Sequence, residues 1–111
     1  MTTLINIAVP VVILDAEVDV DEYPAFALPA RTVVISWQTD FDVNPATISL
    51  AIQVAIELDG PYTNLDTSTT VTPALRTITT PVAARFIRAV IVDNDDEAEV
   101  TIELLCKVAN P

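Results

Sequence analysis

The stretch Thr47-Ile48-Ser49-Leu50-Ala51-Ile52-Gln53-Val54-Ala55-Ile56-Glu57-Leu58-Asp59 decides the fold class. Ile48, Leu50, Ile52, Val54, Ile56 and Leu58 take every even position, and small or polar residues take every odd one. A period of two belongs to a β-strand with one face on a core and the other in water. A helix would scatter the six aliphatics around its circumference. At ~3.3 Å per residue the segment would reach roughly 40 Å, so a bend or bulge within it is expected.

Working outward, Ala98 to Val108 repeats the pattern. Val100, Ile102, Leu104, Cys106 and Val108 oppose Glu99, Thr101, Glu103 and Lys107, with Leu105 the exception. Arg31 to Thr39 sets Val33, Ile35 and Trp37 against Thr32, Ser36 and Gln38. Ala84 to Val92 is nearly continuous apolar chain apart from Arg85 and Arg88, as expected of a central strand buried on both faces. Its arginines then need carboxylate or carbonyl partners. Thr63 to Thr72 reads as a short strand or an ordered loop, and a weaker strand is expected from Leu75 to Thr80. At the N-terminus Ile5, Ile7 and Val9 read as an edge strand. Beyond Pro10 the apolar phase slips from Val11 and Ile13 to Leu14, Ala16, Val18 and Val20, which predicts a bulge or a crossing between sheets. Leu58-Asp59-Gly60-Pro61 holds the only glycine and predicts a reversal with positive φ at Gly60. Asp93 to Glu97 reads as the last hairpin turn.

About seven to nine short strands at roughly ten-residue spacing, with no substantial helix, predict an all-β fold: a single antiparallel β-sandwich. One domain is expected over residues 1–111. Residues 1–22 form an N-terminal edge strand or arm and an acidic strand, and residues 31–108 form the sandwich body.

Composition narrows function by exclusion. Sixteen acids against five bases give a net charge of −11, which opposes binding to nucleic acid. The absence of histidine removes the commonest general base and metal ligand. One cysteine excludes an intramolecular disulfide, and Cys106 lies in the apolar phase of its strand as a buried thiol. Met1 to Val9 lacks the basic region of a signal peptide, and no apolar run approaches the ~20 residues that span a bilayer. A soluble protein made in the cytoplasm, with no membrane partner, is expected.

Two acidic groups invite a metal reading. Asp15, Glu17, Asp19 and Asp21 resemble the start of a calcium loop, but lack its central glycine and closing glutamate. Asp93, Asp95, Asp96, Glu97 and Glu99 crowd a turn. Solvated carboxylates are the expected state of both groups, and they discourage stray strand pairing. Trp37 is expected in the core with Phe86. Tyr62 is expected to cap the sandwich edge, with ligand contact the lesser reading. No serine has a histidine partner and no glycine-rich phosphate loop is present. No catalytic, cofactor-binding or metal-binding residue is assigned, and no enzyme activity or cofactor is expected.

The strand Ile52 to Leu58, followed by Asp59-Gly60, Tyr62, Leu65 and a threonine-rich stretch, resembles a pattern in small virion proteins of tailed bacteriophages. So does Ala84-Arg85-Phe86-Ile87-Arg88-Ala89, followed by a turn and a final alternating strand. Over about residues 47–108 the chain resembles the jelly-roll-like decoration, or cement, proteins of tailed-phage capsids. The resemblance implies a homotrimer on the outer capsid surface of the virion, made in the host cytoplasm, that clamps neighbouring major capsid protein subunits. Other virion components of the same fold, in tail or fibre, and a carbohydrate-binding module are the alternatives. A carbohydrate binder would expose two or more aromatics in a groove, or coordinate calcium through loop acids.

Overall fold

A computed structural model describes residues 11–109. Within them lie eight strands: β1 Val11–Glu17, β2 Phe26–Ala27, β3 Thr32–Phe41, β4 Ser49–Ala55, β5 Thr63–Ser68, β6 Ala74–Ile78, β7 Phe86–Asp93 and β8 Val100–Val108. There is no helix among the described residues. The strand expected over Ile5, Ile7 and Val9 lies outside them.

The strands form two four-stranded antiparallel sheets, ordered β1-β8-β3-β6 and β2-β7-β4-β5. The pairing has a simple rule. The first strand lies beside the eighth, the second beside the seventh, the third beside the sixth and the fourth beside the fifth. The chain is thus one long antiparallel ribbon wound into two layers, with β8 on β3 and β7 on β4 closing the sheets. This is the topology of a jelly roll.

That topology corrects one sequence reading. Asp93 to Glu97 does not close a hairpin, because β7 and β8 belong to different sheets. Only the β4–β5 connection stays within one sheet, and it carries the sole glycine, at φ 91°. Every other connection crosses the sandwich. Prolines 24, 29, 45, 61, 73 and 81 each fall in a different connection, where the lost N–H and fixed φ break no ladder. The β7–β8 connection, lacking proline, is organised by Asn94 instead. Its Nδ2 donates to the carbonyls of Val18 (3.1 Å) and Ala98 (2.9 Å), and its Oδ1 accepts from the Ala98 N–H at 3.1 Å.

The core lies between the layers. Ile35, Trp37, Val100 and Ile102 face Leu50, Ile52, Ile87 and Ala89, all fully or nearly fully buried. The long ladder of alternating aliphatics is shorter than its pattern suggests. β4 ends at Ala55, where its neighbours run out: Val54 pairs with the first residue of β5 and Ala55 with the first of β7. Ile56 and Leu58 continue the alternation in sequence, yet are 64% and 57% exposed. The expected irregularity is present as register shifts at Ser49/Leu50 and Ile52/Gln53.

Three more expectations need correction. Phe86 is half-buried on the outward face of β7, because Ile87 and Ala89 take the inward positions. β7 is therefore not buried on both faces throughout: Val90 is covered on the outward side, but Val92 is exposed. The slip after Pro10 takes the expected form of a bulge, as two register shifts in β1, and Ile13 and Leu14 are both buried. That slip leaves Ala16 exposed at φ 49°, and β1 stops at Glu17. Asp19 and Asp21 consequently sit in the following loop, so the four acids do not form a row along one strand.

Candidate functional site

Trp37 and its partners explain how the two layers are fastened. Trp37 is fully buried as expected, but its Nε1–H donates to Asp66 Oδ2 at 2.8 Å. Asp66 belongs to β5, an edge strand of one sheet, and Arg76 to β6, an edge strand of the other. Arg76 forks onto the same carboxylate, with Nε to Oδ2 at 2.8 Å and Nη2 to Oδ1 at 3.0 Å. Arg76 is also the cross-strand neighbour of Trp37. One carboxylate therefore ties the buried indole and both sheet edges together. The Arg76 guanidinium, then the Trp37 N–H, hold the Asp66 carboxyl below its ordinary value despite partial burial. This latch is structural, and sequence patterning gave no sign of it because its members come from three strands.

Arg88 forms a second constellation, on the outward face of the other sheet. Its Nε donates to Gln53 Oε1 at 2.9 Å, and Gln53 Nε2 donates to Asn64 Oδ1 at 3.0 Å. The guanidinium carbon lies 4.0 Å from the centroid of the Tyr62 ring. The Tyr62 hydroxyl donates in turn to the Leu58 carbonyl at 2.8 Å, closing the turn that Gly60 permits. A Cβ at Gly60 would lie 2.9 Å from the Tyr62 nitrogen and 3.0 Å from its Cδ1, so the tyrosine packs where only a glycine leaves room. The carbonyl partner expected for Arg88 is an amide side chain. Arg85, the other arginine of this segment, lies 5.8 Å from the Phe86 ring centre.

Arg88 and Tyr62 line an open groove of about 470 Å³, with Leu58 and Asp59 on one side and Glu22, Tyr23, Pro24 and Ala25 on the other. Tyr23 is fixed there by donating its hydroxyl to the Ile91 carbonyl at 3.1 Å. Tyr62 thus does more than cap an edge, and Tyr23 was missed in the sequence. The two tyrosines are far apart in the chain, and only the approach of the segment before β2 to β7 brings them to one groove. A second, more apolar groove of about 490 Å³ lies among Val54, Ala55, Ile56, Pro61, Ala83 and Ala84.

The acidic groups are less organised. Asp15, Glu17, Asp19 and Asp21 are exposed. In the β7–β8 turn, Asp96 accepts from the Ala46 N–H, and Asp42 Oδ1 accepts from the Glu99 N–H at 2.8 Å. Backbone donation by Glu99 and Val43 holds the Asp42 carboxyl below its ordinary range. Asp93, by contrast, pushes the neighbouring Asp95 carboxyl up. Among the described residues no three acidic or cysteine side chains converge as a metal site. Cys106 is buried, and desolvation raises its thiol pKa.

The sequence matches no protein-family model and no curated protein.

Proposed function

We propose that the protein is a structural component of a tailed-phage virion, a capsid decoration protein that seats on the outer capsid surface and bridges major capsid protein subunits. The observation that carries this reading is exposed aliphatic surface on a small jelly roll. Val43, Ile56, Leu58, Leu75 and Val92 are each more than half exposed. Such side chains gain free energy when a partner covers them, at roughly 25 cal/mol per Å² of apolar area removed from water. The jelly roll itself recurs in capsid proteins, which supports the reading by analogy of fold. The net charge of −11 suits a protein arrayed densely on a shell and directed toward basic patches of its partner.

The activity proposed is adhesion, with no catalysis, and self-association as a trimer is part of the reading. The test compares particles with and without the protein during heating. Particles lacking it should release their contents at lower temperature, and the isolated protein should have three times the chain mass. Equal particle stability, with the protein missing from purified heads, overturns the proposal.

A further inference from the structure

We propose that the groove around Arg88 binds a neutral hexose unit of a glycan. The inference is independent of capsid attachment, since it concerns one surface of the isolated chain.

Three features carry it. First, the groove is preorganised. Both tyrosine hydroxyls donate to backbone carbonyls, of Ile91 and Leu58, and the arginine is held by Gln53 and the Tyr62 ring. Binding then costs little further ordering of side chains. Second, Arg88 has unused donors. Its Nε is engaged, but its two terminal nitrogens have no hydrogen-bond partner among the described residues. No carboxylate takes them up, since the ion pair among the described residues is made by Arg76. Third, the lining supplies the complementary groups. The exposed carboxylates of Glu22 and Asp59 accept hydrogen bonds, Arg88 donates them, and the half-buried Tyr23 and Tyr62, the latter with Arg88 stacked on one ring face, supply the aromatic part of the lining.

A pyranose has these requirements. Its vicinal hydroxyls both donate and accept, and its C–H face packs on aromatic rings. Neutrality follows from charge. One arginine against two carboxylates leaves the lining net negative, which penalises an anionic sugar. A basic peptide is attracted by the same negative lining, but lysine and arginine side chains have no acceptor for the unused Arg88 donors, so the sugar is the better fit.

The test titrates isotope-labelled protein with the methyl glycosides of glucose, galactose, mannose and N-acetylglucosamine, read through amide chemical shifts. At least one should give saturable shifts confined to residues 22–25, 58–62 and 88. Arg88→Lys keeps the charge but loses the planar fork, and should weaken that binding at least ~10-fold. Asp59→Asn, at an exposed turn position that leaves the fold intact, should weaken it as well. N-acetylneuraminic acid should bind less tightly than the best neutral glycoside. The proposal is overturned by no saturable shift with any of the four, by shifts elsewhere on the protein, or by unchanged affinity in Arg88→Lys. Tighter binding of the acidic sugar, or pentalysine shifting these amides where the glycosides do not, also overturns it.

Discussion

Asp66 joins the two layers through polar contacts. It receives one hydrogen bond from a fully buried indole and two from an arginine on the opposite sheet. Hydrogen bonds to a charged group stabilise by about 1.5–3 kcal/mol. The Arg76 side chain is 43% exposed, however, so solvent screening reduces the expected loss in Asp66→Asn to about 1 kcal/mol. The pH dependence has a definite sign. Because folding lowers the Asp66 pKa from 3.8, its contribution is fully present above that value and disappears as pH falls through the lower folded value. Urea unfolding at neutral pH should therefore separate wild type from Asp66→Asn, and the two should converge well below pH 3.8. A gap that persists unchanged in strong acid would show that packing, and not the charge, fastens the sheets.

At the scale of the element, β4 shows how far a pattern can mislead. Ile52 and Ile56 occupy equivalent places in one uninterrupted alternation, yet Ile52 is fully buried and Ile56 is 64% exposed. The difference arises from neighbours, since pairing with β5 ends at Val54 and pairing with β7 at Ala55. Ile52→Ala should cost about 2–5 kcal/mol, as expected for a cavity in a packed core. Ile56→Ala should change stability by no more than ~0.5 kcal/mol. Denaturant midpoints of the two variants measure this directly, and equal losses would mean that the strand continues past Ala55. β1 makes the complementary point. Its register shifts put consecutive residues Ile13 and Leu14 into the core, which period-two counting would divide between faces.

For the whole molecule, charge opposes compactness. A net −11 on a chain this small favours an expanded state through self-repulsion, most visibly where Asp93 raises the Asp95 carboxyl. Raising salt from about 0.01 M to about 1 M shortens the screening length from ~30 Å to ~3 Å. The thermal midpoint should rise across that range. A fall would mean that attractive pairs such as Arg76–Asp66 outweigh the repulsion. Acid acts in two directions. Protonating Asp95 relieves repulsion in the folded state, whereas protonating Asp66 and Asp42 removes bonds that hold it.

The sequence by itself determined the strand-rich class, the burial of Trp37 and Cys106, and the turn at Gly60. Each is a local matter of side-chain period or backbone freedom. Tertiary structure alone decided which strands became neighbours, and so turned an expected hairpin at Asp93 to Glu97 into a crossing between sheets. It also ended β4 at Ala55, faced Phe86 outward, and assembled both the Trp37–Asp66–Arg76 latch and the Tyr23–Tyr62–Arg88 groove. Period-two patterning reports which face of a strand is apolar, but carries no information about the strand across from it. The ribbon's winding brings segments distant in sequence to a common edge, and polar contacts form there.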